Sequence, residues 1–361
     1  MLTSCLIITT LLLGEVLPAD SPQATPPVMR GTLWWMPYLP KASQEEYSRC
    51  IQAQRDVGFD LLWILGTPSL MEKATQSEAA GEPYDPLDLV LQIADEAGMR
   101  VIVDLPQEGW YGRAEADDVI GRVAKHIQAF SSRYGKHRSL RGWYLNYEIN
   151  PIAEDNPKES RWWRDVWQEE TAACHRALPG SLVTISPFFL MDEKRRRGFV
   201  YLAPAQYGKW WEETLRQTKI DVVMLQDSGA EHLAFFTLAD REPFFAAMQT
   251  ACRRAGCHLW LNVESGEADV AGWEEFMLKE HEKNVPWRFV PIDRLAGKLA
   301  LASRYGESIV NWGYFPYMAP EAGEKETPLQ REAYLAYQTY YQRQSKTAAR
   351  SPDLKTREGQ R

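Results

Sequence analysis

Short apolar runs, rich in β-branched and aromatic side chains, recur eight times along the chain, and segments of helical periodicity separate them. The runs are GTLWWM (31–36), DLLWIL (60–65), RVIVDL (100–105), GWYLNYE (142–148), LVTISPF (182–188), DVVMLQD (221–227), HLWLNVE (258–264) and SIVNWGYF (308–315). Their spacing of roughly 30–45 residues leaves room for a strand, a loop, a helix and a return turn. The intervening segments carry helix punctuation. Ser43 and Glu46 have capping-box spacing, and Gly58 follows that helix. Asp85 caps the next with Pro86 at its first position, and Leu87, Val90, Leu91, Ala94 and Ala97 form one apolar stripe that ends at Gly98. Gly135, Gly180, Gly256 and Gly306 stand where later helices should stop.

Strict alternation of strand and helix, with strands apolar on both faces, predicts a parallel sheet covered by helices, and eight repeats close into a barrel. The expected fold is therefore α/β, a single (β/α)₈ TIM barrel over residues 25–320, with a C-terminal helical extension at 321–344 and a disordered polar tail at 345–361. A doubly wound open sheet is the runner-up, with fewer strands as a rule and a switch-point loop that is not evident here. At the other end, the apolar run CLIITTLLL (5–13) is too short to span a bilayer and is followed by Pro-rich polar sequence. Residues 1–24 read as a signal peptide, which predicts a secreted or periplasmic protein with no membrane segment in its mature form.

Composition narrows the partners. Among 361 residues, 41 Lys and Arg face 49 Asp and Glu, a formal charge of -8, which argues against a nucleic-acid partner. The 14 Trp and 16 Tyr are amphipathic rings suited to ligands with apolar and hydroxylated faces, although a Trp-rich core accounts for many of them. Of five cysteines, Cys5 falls in the leader, and Cys50, Cys174, Cys252 and Cys257 make no C-x-x-C pair, so no essential disulfide is expected. The six His are scattered, and the nucleophile-elbow, P-loop and dinucleotide motifs are missing. No metal and no cofactor is predicted; the expected partner is a carbohydrate substrate.

Sites in this fold form at the C-terminal ends of the strands. Alternation puts Tyr144, Asn146 and Glu148 on one face of the fourth strand and Trp260, Asn262 and Glu264 on one face of the seventh. A carboxylate aimed into a barrel mouth is costly to desolvate, so two in matching positions call for a reason. Glycoside hydrolysis supplies one, because it needs two carboxyl groups flanking the scissile bond. Glu148 and Glu264, 116 residues apart, sit three repeats from one another and are the predicted catalytic pair. Asp104 ends the third strand, ahead of a loop with Glu108, Trp110 and Tyr111 that suits a subsite wall; Trp34 and Trp35 end the first strand, where one should point inward and the other against a helix. Substrate contacts are expected from Asn146, Asn262, Asp104, Trp110 and Trp34. A catalytically silent glycan-binding barrel would use the same residues without turnover, and a metal-dependent hydrolase would draw on Asp104, Asp227, Glu148 and Glu264 but lacks the His ligands common in such sites.

An acid/base Glu ending strand four and a nucleophile Glu ending strand seven resemble the arrangement of the barrel glycosidases of clan GH-A, which act with retention. The segments GWYLNYEIN (142–150), DVVMLQDSGA (221–230), LWLNVES (259–265) and PIDRLAGKLALASRYGESIVNWGYFPYMAP (291–320) more closely resemble a family of bacterial, often exported barrels known only as a domain of unknown function and regarded as candidate glycoside hydrolases. The resemblance implies that Glu148 is the acid/base and Glu264 the nucleophile. It also implies sugar or nucleophile contacts from Gln226 and Asp227, and a stacking ring at Trp312 with Tyr314 on the same face. Where the clan has Asn immediately before the acid/base, this chain has Tyr147, leaving Asn146 or Asn150 to reach the sugar. Retention requires carboxyl groups ~5–5.5 Å apart, an ionised Glu264 and a Glu148 that holds its proton near neutrality.

Overall fold

The computed structural model describes residues 27–36, 42–81, 83–107, 114–149, 152, 156–227, 232–312 and 328–350. Each of the eight apolar runs enters one sheet: β1 (Gly31–Trp35), β2 (Leu61–Leu65), β3 (Arg100–Asp104), β4 (Leu140–Leu145), β5 (Leu182–Ile185), β6 (Val222–Gln226), β7 (His258–Glu264) and β10 (Ser308–Trp312). All neighbours are parallel and β10 returns to β1, so the sheet is a closed (β/α)₈ barrel. Side-chain alternation sorts the strands into two cores. Leu33, Leu61, Trp63, Leu65, Ile102, Tyr144, Val222, Met224, Trp260 and Val310 fill the interior, and the opposite faces pack against the helices.

Between the strands lie α1 (Gln44–Asp56), α2 (Thr67–Ala79), α3 (Pro86–Ala97), α4 (Ala116–Tyr134), α5 (Pro157–Ala177), α6 (Pro204–Thr218), α7 (Leu238–Ala255) and α9 (Ile292–Tyr305). The Ser43–Glu46 capping box forms on α1, Asp85 accepts from the backbone N–H of Leu87 and Asp88 to cap α3, and Gly98 and Gly256 end their helices with positive φ. Two additions interrupt the alternation, the first being that α2 and α3 both lie between β2 and β3. After β7 the chain makes a short antiparallel ribbon, β8 (Gly266–Ala268) with β9 (Trp287–Phe289), around α8 (Trp273–His281). The four described cysteines are buried and form no disulfide.

The C-terminal helix α10 runs Pro328–Arg350, past the boundary at 344 that its sequence predicts. Its tyrosines dock it under the barrel: Tyr334 and Tyr340 donate to the carbonyls of Ala53 and Pro27, both at 2.7 Å, and the Tyr337 hydroxyl accepts from the Met29 N–H at 2.7 Å. Gly58 is required beneath this contact, since it combines a φ of 85° with a ring so close that a Cβ would lie 2.2 Å from Tyr341. No described helix is long and apolar enough to cross a membrane.

Candidate active site

β7 delivers its residues as alternation predicts. Trp260 lies in the interior core, Asn262 donates to the Ser186 hydroxyl across the barrel at 3.0 Å, and Glu264 stands at the strand end in register with Trp312. β4 reaches the mouth differently. The strand stops at Leu145, whose carbonyl accepts from the Tyr147 N–H at 2.8 Å, a three-residue turn centred on Asn146. The faces nevertheless keep alternating beyond the strand, with Leu145 and Tyr147 both in the helix-side core. Tyr147 holds this arrangement, since its ring packs edge-on against Trp163 of α5 at 5.2 Å and its hydroxyl donates to the buried Glu170 at 3.0 Å. With Tyr147 anchored in the helix layer, Glu148 falls on the mouth side, where Gln226 hydrogen-bonds to it. The charge of Glu148 acts on both Tyr144 and Glu264, so the two carboxylates share one mouth.

Glu264 is held from behind. Asp227 accepts from its backbone N–H at 2.8 Å, while the Lys298 ammonium donates to its carbonyl at 2.5 Å and pairs with Asp227 at 3.1 Å. All three side chains are buried. Burial is the main force pushing the Glu264 carboxyl well above the usual carboxylate range; the negative charges of Asp227 and Glu148 add to it and Lys298 opposes it. Glu148 is also pushed up by burial, with Gln226 opposing. The retaining reading expects an ionised Glu264, and burial at 2% exposure works against that form.

The other predicted contacts divide. Gln226 and Trp312 face the interior, Trp312 lying edge-on to Trp63 at 6.1 Å. Asn146 is half-buried at the mouth and donates to Asp104 at 3.2 Å. Asn262 lies one layer deeper and is fully buried. Trp34 does not face the site at all: it is the helix-side ring of its pair, buried edge-on against Tyr47 of α1 at 6.0 Å, and Trp35 takes the inward, 40% exposed position. Asp227 accepts from the backbone N–H of Glu264 and pairs with Lys298. Trp110, Tyr314, Glu108, Tyr111 and Asn150 lie outside the described residues, as does the 1–24 segment.

Asp104 is occupied by protein. Its carboxylate accepts from the N–H groups of Gly66 and Thr67, both at 2.9 Å, and from the Thr67 hydroxyl at 2.6 Å, so it closes the N-terminus of α2. Burial outweighs these bonds and raises it to about 6. A carboxylate raised in the folded state contributes stability that is present below its unfolded value near 3.8 and lost as pH rises through about 6. Urea unfolding of the wild type and Asp104→Asn from pH 4 to 7 should therefore show a difference in stability that shifts against the wild type by roughly 2–3 kcal/mol as pH rises. A difference independent of pH would refute this. Among the described residues no cluster of three His, Cys, Asp or Glu could hold a metal.

Residues 29–324 match the family described as a domain of unknown function, DUF4434. The chain belongs to that family. Among curated proteins no sequence matches this DUF4434 chain. Its barrel is shared with solved structures of low identity. A candidate alpha-L-fucosidase from Bacteroides thetaiotaomicron is 18% identical with a TM-score of 0.66, over 94% of this chain and 99% of that one. The beta-galactosidase from the psychrophilic Marinomonas ef1 is 13% identical with a TM-score of 0.54, over 89% and 60%. A glycoside hydrolase family 5 protein from Bacteroides vulgatus is 14% identical with a TM-score of 0.51, over 86% and 64%. The DUF4434 barrel thus has the fold found in glycoside hydrolases.

Several residues of this site escape a reading of strand ends. Lys298 is one, although it leaves a trace: it interrupts the apolar stripe Leu295, Leu299, Ala302 of α9, and a lysine there must find a buried anion. Glu170 does the same among Trp163, Val166, Trp167 and Cys174 on α5. His232, whose Nδ1 lies 3.9 Å from the Glu264 carboxylate, sits in a connection with no periodicity and leaves no such trace. Four buried polar atoms in the barrel interior have no partner among the described residues: Trp63 Nε1, the Tyr144 hydroxyl, Asn262 Oδ1 and Glu264 Oε1. Unpaired buried groups of this kind are costly, and all four lie on strands or strand ends of the barrel interior.

Proposed function

We propose that the protein is a retaining glycoside hydrolase acting on an oligo- or polysaccharide. The observation that carries this is the pairing of Glu148, just beyond β4, with Glu264 at the end of β7, near enough for the charge of one to bear on the other. Glu264 attacks the anomeric carbon while Glu148 gives its proton to the departing glycosidic oxygen, leaving a glycosyl ester on Glu264. Glu148, now a carboxylate, takes a proton from water, which attacks the same carbon and releases Glu264. The raised pair sets the order of events. Glu264 must lose its proton before it attacks, and a substrate hydroxyl donating to its unpaired Oε1 would favour the ionised form on binding. Glu148, pushed up by burial, is suited to carry the proton. The apolar run at 5–13 supports placing the enzyme outside the cytoplasm.

One observation favours a second reading. A Glu264 that burial keeps protonated would bind glycans without cleaving them. Screening a panel of polysaccharides and aryl glycosides, then following the product anomer by NMR on a substrate that is cleaved, decides between them. Retained configuration is expected. Inverted product would overturn the nucleophilic role of Glu264 and leave the pair as acid and base; binding without turnover across the panel would favour the silent barrel.

A further inference from the structure

Between β7 and α9 the chain makes an excursion that a strand, loop and helix repeat does not need. β8 pairs with β9 so that Gly266 faces Phe289, Glu267 faces Arg288 and Ala268 faces Trp287. Charge locks the ribbon in place. The Glu267 carboxylate, 2% exposed, accepts from Arg288 at 2.8 Å and from Arg294 of α9 at 2.9 Å, and Arg288 also reaches Asp269 at 2.6 Å. A small core of its own, Leu233, Ala268, Val270 and Phe276, lies beneath.

This rigid ribbon holds an indole out into solvent. Trp287 is 54% exposed, and among the described tryptophans only Trp35 is also exposed. Its neighbour is His232, with ring centroids 6.1 Å apart and planes at 58°. His232 in turn is the side chain beside Glu264. Its backbone has a φ of 49°, an uncommon value for a residue with a Cβ, and the Ala268 N–H donating to its carbonyl at 2.7 Å ties it to the ribbon. Burial, with the cations Lys298, Arg197 and Arg241 nearby, holds the imidazole down at about 4, so it is neutral near pH 7. At 3.9 Å it is too far from Glu264 for a hydrogen bond. A neutral imidazole offers one N–H donor and one acceptor, which is what a sugar hydroxyl can use. The sequence of groups from the mouth outward is then carboxylate, imidazole, exposed indole.

We propose that His232 and Trp287 form a second sugar-binding position flanking Glu264, with a pyranose ring stacked on the Trp287 face, so that the substrate is an oligosaccharide of at least two rings rather than a simple glycoside. The proposal rests on the glycoside hydrolase reading for the reacting sugar, but its own evidence is the ribbon and the two rings.

The test compares kcat/KM on an oligosaccharide series with kcat/KM on the matching aryl monoglycoside. In Trp287→Ala the ratio should fall about tenfold, mostly through KM of the oligosaccharide, and Trp287→Phe should recover part of it. Leu278→Ala, an equally exposed position on α8, controls for general disturbance of the excursion and should leave the ratio alone. An unchanged ratio in Trp287→Ala overturns the proposal and leaves the hydrolase reading intact. Oligosaccharide affinity measured by calorimetry in the Glu148→Gln background needs no turnover: a tenfold loss on adding Trp287→Ala supports the position even for a protein that cleaves nothing. Equal affinities, or no binding by any member of the series, overturn it.

Discussion

Glu264→Gln is expected to reduce hydrolysis by on the order of 10⁴-fold or more while leaving glycan affinity within a few-fold of wild type, because the amide cannot form the glycosyl ester but keeps the shape and hydrogen-bonding capacity of the side chain. Glu148→Gln should behave differently. A general acid contributes ~10²–10⁴-fold, and that contribution depends on how badly the leaving group needs a proton. Natural glycosides, which leave as alkoxides, should lose most of that factor, whereas aryl glycosides with acidic phenols should lose far less in the glycosylation step. The two substitutions thus separate by substrate, and measuring kcat/KM for both variants on both substrate types assigns the roles. Equal losses on every substrate would contradict the division of labour between nucleophile and acid. Retention of wild-type turnover by either variant would remove that residue from the chemistry.

The barrel could be read from the chain because its signals are local and repeated. Eight apolar runs, each bounded by caps such as Asp85 and glycines such as Gly98 and Gly256, needed no long-range information to be recognised, and every run entered the sheet. Within the site, period-two alternation worked wherever the strand persisted to its end, as in Asn262 and Glu264 on β7. Elsewhere packing had to complete what the period alone could not. On β4 the strand stops at Leu145, and Glu148 keeps its face beyond the strand because Tyr147 is anchored to Glu170 and Trp163 on α5, contacts made across more than a dozen residues of chain. On β1 the sequence offers two adjacent tryptophans and no way to choose. Tyr47 on α1 settles the matter by covering Trp34. The β8–β9 ribbon was invisible for a related reason. Its strands have three residues each, too short for any periodicity, and their stability comes from the arginines that converge on Glu267.

Those contacts share a design that bears on catalysis. Each catalytic candidate projects into the mouth, and its backbone is fixed from the helix side by a buried polar partner: Tyr147 with Glu170 behind Glu148, and Asp227 with Lys298 behind Glu264. A carboxylate in a barrel mouth must be held within a fraction of an ångström to be useful, and helices packed on a closed barrel are rigid enough to do so. The cost is a set of buried charges that stabilise the fold only while they remain paired.

Lys298→Met should expose that cost and also test the link to chemistry. The substitution keeps volume but leaves Asp227 buried without its cation, which is expected to destabilise the protein by roughly 3–5 kcal/mol in denaturant unfolding. Asp227→Asn added to it removes the stranded charge and should recover part of that loss, giving a coupling energy of ~1 kcal/mol or more in the double-mutant cycle. A purely structural role would end there. The electrostatics predict more, because Lys298 lowers the Glu264 pKa and Asp227 raises it. Attack requires ionised Glu264, so the acid limb of the pH profile of kcat/KM should move to higher pH in Lys298→Met and to lower pH in Asp227→Asn. The opposite signs are what distinguish charge from packing: two variants that merely loosen the strand end would lose activity together without moving the limb in contrary directions. A Lys298→Met protein that melts and titrates like the wild type would show that the pair behind Glu264 neither secures nor tunes it.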